Sequence, residues 1–138
     1  MTTVTTLHAA VLSRLRALAS LTVYAGIVPA SPPSDREGRV LPYVVLWPSG
    51  GHRPAESRTL ESEHTSDLKW RAHVTVAAGT VDWATRAVDL VRAALDGQVL
   101  APFCSPLEED GSLFQLLEDR DVTPARVFLP MSFVCTTG

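Results

Sequence analysis

"LKWRAHVTVAAGTVDWATRAVDLVRAALDG" runs from Leu68 to Gly97 and carries two periodicities in one stretch. From about Asp67 to Ala78, Leu68, Trp70, Ala72, Val74 and Val76 alternate with Lys69, Arg71, His73 and Thr75. A period of two predicts a strand with one buried face and one face that is wet or partnered. Beyond Gly79 the period changes. Ala84, Ala87, Val88, Val91 and Leu95 form a stripe at helical spacing, with Thr80 as a natural N-cap, Asp82 at the positive end of the dipole and Gly97 as a left-handed stop. Asp82 with Arg86, and Asp89 with Arg92, fall at helical pair spacings on the other face, each worth only ~0.3 kcal/mol. A strand running into a helix, each with one apolar face, predicts a sheet with helices laid against it.

Working upstream, "LPYVVLWPSGGHRP" (Leu41–Pro54) predicts a second strand. Tyr43, Val45 and Trp47 fill one face and Val44 and Leu46 the other, which suits a strand covered on both sides. Pro42 and Pro48 cannot donate to a ladder and set its limits. "LTVYAGIVP" predicts a short strand from about Leu21 to Tyr24, and "ASPPSDREGR" a loop on composition. At the start of the chain, Leu7, Val11, Leu15 and Leu18, widened by Leu12, predict a helix capped by Thr5 or Thr6. Arg14 and Arg16 fall off that stripe and should face water or a partner.

Downstream, "QVLAPFCSPLEEDGSLFQLLEDRDVTP" is loop-rich, with one short strand near Leu113 to Leu117. A final strand is expected from about Ala125 to Cys135, with Val127, Leu129, Met131 and Phe133 on one face. Pro130 within it implies an edge position or a bulge. The expected fold is α+β: a single domain over 1–138, a small mixed sheet of about four to five strands with two helices packed on one face.

One segment does not fit a core. "AESRTLESEHTSD" has strand-like alternation but almost nothing apolar to bury. Ser57, Thr59, Glu61 and Glu63 share one face, and Arg58, Leu60, Ser62 and His64 the other. A single leucine gains only ~2 kcal/mol on full burial, while ordering eight backbone residues costs about 1 kcal/mol or more each. Such a segment is either a flexible surface loop or an extended polar arm, at about residues 48–66 and hinged at Gly50–Gly51, that gains stability by pairing elsewhere.

Composition narrows the function classes. Of 138 residues, 46% are apolar and 20% charged, as in an ordinary globular protein. A formal net charge of -3 leaves no basic field for gripping nucleic acid. The start of the chain lacks a basic segment followed by an apolar run, so no secretory signal is expected. Nowhere does an apolar run approach the ~18 residues of a membrane span. Cys104 and Cys135 make neither a disulfide framework nor a metal quartet; they are free thiols or one bridge.

Motifs for chemistry are sparse. His8, His52, His64 and His73 lack zinc-site spacing. "SGGH" leads into Arg53-Pro54 and not into a helix, so it reads as a turn rather than a phosphate cradle. The acidic groups Glu108–Asp110 and Glu118–Asp121 do not follow a calcium-loop pattern and read as solvated loops. No base stands beside Cys104 in sequence to activate it. No catalytic, cofactor-binding or metal residue is therefore assigned, and no enzymatic activity is expected.

Certain phrases, in their order, resemble one known family. "LHAAVLSRLRAL", "VYAGIVP", "LPYVVLW", "LKWRAHVTVAA" leading into "TVDWATRAVDLVRAALDG", and the closing "DRDVTPARVFLPMSFVC" look like the tail terminator (tail completion) proteins of long-tailed bacteriophages, over roughly Leu7 to Cys135. The resemblance implies a homo-hexameric ring that sits on the last ring of the tail tube, stops its polymerisation and joins the tail to the head. It implies a small sheet with two helices on one face and a hairpin that reaches toward neighbouring subunits. Its implied partners are other copies of the chain, the major tail tube protein and a head-completion or connector protein. DNA would pass through the lumen without specific binding, and no membrane is involved. The implied location is the virion tail or neck, assembled in the cytoplasm of the bacterial host. On this expectation Arg53, Arg58, Leu60, Glu61 and Glu63 of the arm are subunit-interface residues, and the arm closes an exposed strand edge against the next copy. The competing readings are another neck or tube component of a phage or phage-derived particle, and a small cytoplasmic enzyme or ligand-binding domain.

Overall fold

The structure is a computed structural model and describes residues 2–52 and 68–137. Its elements run α1 (Val4–Arg16), β1 (Thr22–Ala25), β2 (Tyr43–Trp47), β3 (Leu68–Ala78), α2 (Val81–Leu95), β4 (Glu108–Glu109), β5 (Leu117–Asp119) and β6 (Arg126–Thr137). The sheet order is β1-β2-β3-β6-β4, with β5 pairing β6 beside β4. β1 and β2 are parallel and all other pairs antiparallel, so this is an α+β fold on a mixed sheet.

Both helices cover one face. α1 contributes Leu7, Val11 and Leu15, and α2 contributes Ala87, Val88, Val91 and Leu95. These meet Val44 and Leu46 of β2, the Leu68-to-Val76 stripe of β3, and Leu129, Met131, Phe133 and Cys135 of β6. All five stripe residues of α2 are buried, as their spacing predicts. Thr80 caps α2 by accepting from the Trp83 N–H at 3.2 Å, and Gly97 stands at φ 75 just past its end. In α1 the cap is one turn earlier than expected: Thr3, not Thr5 or Thr6, accepts from the Thr6 N–H. Thr2, Thr3, Thr5 and Thr6 all carry a capping hydroxyl, so the sequence does not single out one of them.

β2 is buried on both faces from Tyr43 to Leu46. Its second cover comes from the 26–42 connection. A parallel pair needs a crossover of a dozen or more residues, usually helical. Here an irregular chain crosses over and packs Val28 and Val40 with Tyr24, Tyr43, Val45, Ala77 and Phe128 on the face away from the helices. The crossover is pinned where Gly79 meets Val40: the Gly79 N–H donates to the Val40 carbonyl at 2.8 Å. A Cβ on Gly79 would lie 2.6 Å from the Val40 nitrogen, so only glycine allows this approach.

The later strands differ from expectation in detail. β4 lies in the segment read as a solvated acidic loop, and the short strand expected near Leu113 to Leu117 instead runs Leu117–Asp119. Two- and three-residue strands show no usable alternation. β6 is an edge only locally: β3 pairs one side of it from Leu68↔Thr137 to Ala78↔Val127, while β4 pairs the other side at Phe133 and Val134 and β5 pairs it from Arg126 to Phe128. Pro130 is accommodated because its free side faces the gap between β4 and β5. There its carbonyl accepts from the Leu113 N–H at 3.3 Å, and no ladder bond needs its missing N–H.

Candidate assembly surface

The arm expected at 48–66 divides in two. Its proposed interface residues Arg53, Arg58, Leu60, Glu61 and Glu63 lie outside the described residues. Its base does not. The His52 N–H donates to the Lys69 carbonyl at 2.8 Å and the Lys69 N–H to the His52 carbonyl at 2.7 Å, so the chain leaves and returns as an antiparallel pair. Trp70 Nε1 donates to the Ser49 carbonyl at 3.0 Å. Gly51, at φ 65, has no room for a Cβ, which would lie 2.8 Å from the Lys69 carbonyl oxygen. The Gly50–Gly51 position expected as a hinge lies at this base, where Gly51 packs against the end of β3 and Gly50 has open space around it.

Around this base the sheet face away from the helices is polar. His52, Lys69, Arg71 and His73 border an open depression of about 300 Å³. Arg71 is committed to structure: its guanidinium donates to the Asp110 carbonyl, to Ser132 Oγ at 2.8 Å and to the Asp110 carboxylate at 3.1 Å. It ties the loop after β4 to β6. At the other end of the same face, Arg126 donates to Tyr43 Oη at 2.9 Å and stands over the Tyr43 ring.

The acidic groups are used in the same structural way. Arg92 of α2 donates to both Glu109 carboxylate oxygens, at 2.7 and 3.1 Å. That bidentate pair holds the Glu109 carboxyl below the usual carboxylate range, against the opposing effect of burial. The expected Asp89–Arg92 pair gives way to it, because β4 brings a better-oriented carboxylate alongside the helix. Asp82–Arg86 forms as its spacing predicts, at 3.3 Å. Glu118 pairs with Arg120 at 2.7 Å. Arg14, expected to face water or a partner, donates to Gln98 Oε1 and the Val99 carbonyl, tying α1 to the loop after α2.

Reactive groups are dispersed. Among the described residues no three His, Cys, Asp or Glu side chains gather as a metal site would require. Cys104 and Cys135 are free thiols, and burial, with Cys104 nearby, pushes the Cys135 thiol up to about 11. At neutral pH it is protonated and a poor nucleophile. Among the described residues no helix is long and apolar enough to cross a membrane.

Sequence spacing missed the Arg71–Asp110–Ser132 and Arg92–Glu109 networks, because their partners meet only through tertiary folding. It also passed over the "APFC" turn, where a phenylalanine follows a proline in the place a turn usually gives to glycine.

No protein-family model matches the chain, and no curated protein matches it. Among solved structures, the fold matches a chain of "Virion of native gene transfer agent (GTA) particle" with a TM-score of 0.56 and 21% sequence identity. The match covers 95% of this chain and 94% of that one. At this identity the likeness is one of fold, and it extends over nearly the full length of both chains.

Proposed function

We propose that this chain is a structural virion protein that forms a ring on the end of a phage tail tube, stops tube polymerisation and joins the tail to the head-completion complex. The observation that carries this reading is the near end-to-end fold match to a chain of a virion particle. The order of sequence phrases that resembles tail terminators adds the specific position. In this reading the segment carrying Arg53, Arg58, Leu60, Glu61 and Glu63 crosses to a neighbouring copy from a fixed base at His52 and Lys69. The ring partners would be the major tail tube protein on one side and a connector protein on the other. A mildly acidic chain, with a formal net charge of -3, would let DNA slide past without gripping its phosphates.

Native mass measurement with negative-stain imaging of the purified protein tests this directly. Closed rings that halt elongation when added to polymerising tube protein are the expected result. Open tubes built from the chain itself would favour the tube-component reading. A strictly monomeric protein that leaves tube length unchanged would defeat the proposal. Replacing residues 53–67 with a short Gly-Ser linker, keeping His52 and Lys69, should leave a folded monomer unable to form rings. If that variant assembles as the parent does, the segment is an ordinary loop.

A further inference from the structure

The turn Ala101–Cys104 places an aromatic side chain where the fold has no use for it. The Cys104 N–H donates to the Ala101 carbonyl at 3.2 Å, closing a four-residue turn with Pro102 second and Phe103 third. Phe103 stands at φ 64. Proline followed by a residue with positive φ is the pattern of a type II turn, whose third position takes glycine or asparagine because a larger side chain is strained there. Phe103 accepts that strain and is also 86% exposed, so neither backbone comfort nor burial in its own domain accounts for it. The turn is held firmly. Ser105 and Thr136 exchange hydrogen bonds at 2.8 and 2.9 Å, Cys104 bridges to Thr137, and the Cys104 side chain packs on the core. Phe103 is thus a rigid apolar knob, with half-exposed Val99 on the same loop.

Toward the opposite end of the sheet lies a receptor of matching character. A groove of about 200 Å³ on the face away from the helices is lined by Val28, Tyr43, Val45, Trp47 and Phe128, with Arg126 among its lining residues. Arg126 donates to Tyr43 Oη and to the Pro124 carbonyl and stands over the Tyr43 ring, so the groove already pairs a guanidinium with an aromatic ring, a setting that suits a further aromatic occupant. Asp119 lines the groove as well, and its carboxylate accepts the Asp121 N–H. The knob stands at the Leu68↔Thr137 end of the β3–β6 pair, whereas the groove lies at Thr75 to Ala77. Seven to nine strand residues separate those levels, roughly 23–30 Å at 3.3 Å per residue. A phenylalanine cannot reach the groove of its own chain.

We propose that Phe103 seats in this groove of a second copy, as the anchor of a head-to-tail contact between opposite ends of the sheet. The inference rests on the ring reading above and supplies that ring with a contact independent of residues 53–67. Different surfaces meet, so the contact is heterologous and generates a closed ring or an open filament according to its rotation. A central aromatic in an apolar pocket is the side chain that usually dominates such an interface.

The test compares the parent, Phe103→Gly and Phe103→Tyr by sedimentation over a wide concentration range. Melting is followed at a dilution where all are monomeric. Phe103→Gly should melt at or above the parent, because glycine suits the turn, yet require at least a tenfold higher concentration to assemble; Phe103→Tyr should assemble like the parent. In a Cys104→Ser background, chains carrying Phe103→Cys should form disulfide dimers with chains carrying Trp47→Cys, more readily than either variant does alone. Parental assembly by Phe103→Gly, a lowered melting temperature showing that Phe103 serves its own fold, or no selective cross-linking in the mixture would each overturn the contact. A parent that stays monomeric throughout sinks the ring reading together with it, whereas a ring-forming parent matched by Phe103→Gly sinks the contact alone.

Discussion

Neighbouring residues of β3 live in different worlds. Trp70, Ala72, Val74 and Val76 are buried under both helices, while Lys69 and His73, one position away, are exposed on the opposite face. The covered face is completed by the chain's own α1 and α2. Among the described residues, the apolar cover on the other face lies at one corner, where the 26–42 crossover lays Val28 over Tyr43 and Val45. A small sheet can therefore be fully committed on one side and available on the other. The difference separates what folds the chain from what it can offer to a neighbour.

The sharpest way to break the covered face is Val88→Asp. Val88 is 5% exposed and sits in the main core with Val91 and Leu95. An unpaired carboxylate there has no hydrogen-bonding partner, and we expect the cooperative melt to disappear, at a cost of about 4 kcal/mol or more. A soluble Val88→Asp protein with a cooperative thermal transition would show that α2 presents another face.

A somewhat smaller effect is expected where the crossover covers a corner of the open face. Gly79→Ala forces a Cβ to within 2.6 Å of the Val40 backbone nitrogen, and neither backbone can yield without moving the crossover. We expect about 2–3 kcal/mol of destabilisation in urea melts, comparable to other overpacked sites. An unchanged urea midpoint would mean that the crossover is not fastened at Val40.

How much of this was legible follows from the same contrast. The α2 stripe, the Thr80 cap, the Gly97 stop and the alternation in β3 could all be read, because each is a local pattern that one core enforces. Burial of β2 on both faces was also legible, from apolar residues at both phases of Tyr43 to Leu46. β4 was not, because Glu108 and Glu109 form a strand only through their register with Val134 and Phe133. Arg92 was assigned to Asp89 for the same reason, since spacing within a helix says nothing of a carboxylate arriving from another strand. The candidate interface residues of the arm fall outside the described residues, and only its base at His52 and Lys69 was placed. Phe103 was unreadable as a knob, because its significance lies in a backbone angle.

Between the two faces lies a rim where helix and sheet edge are joined by charge, and it should give the smallest effect. Arg92 and Glu109 meet in a bidentate pair with side chains 44% and 22% exposed. Solvent screening limits such a pair to about 0.5–1 kcal/mol, so Glu109→Gln should lower stability by no more than that. Its pH signature is more diagnostic than its size. The Arg92 hydrogen bonds hold the Glu109 carboxyl below its ordinary value, so the folded protein binds that proton less readily than the unfolded chain does. The stabilisation is therefore complete above the unfolded carboxyl's pKa of about 4.3 and is lost as pH falls through the lower folded value. The gap between parent and Glu109→Gln in urea midpoint should stay constant from about pH 7 to pH 5.5, then close below about pH 4. Raising the salt concentration at pH 7 should narrow it as well, by screening the pair. A gap that persists unchanged to pH 3 would mean that Glu109 contributes through packing beside β6, placing the rim with the covered face.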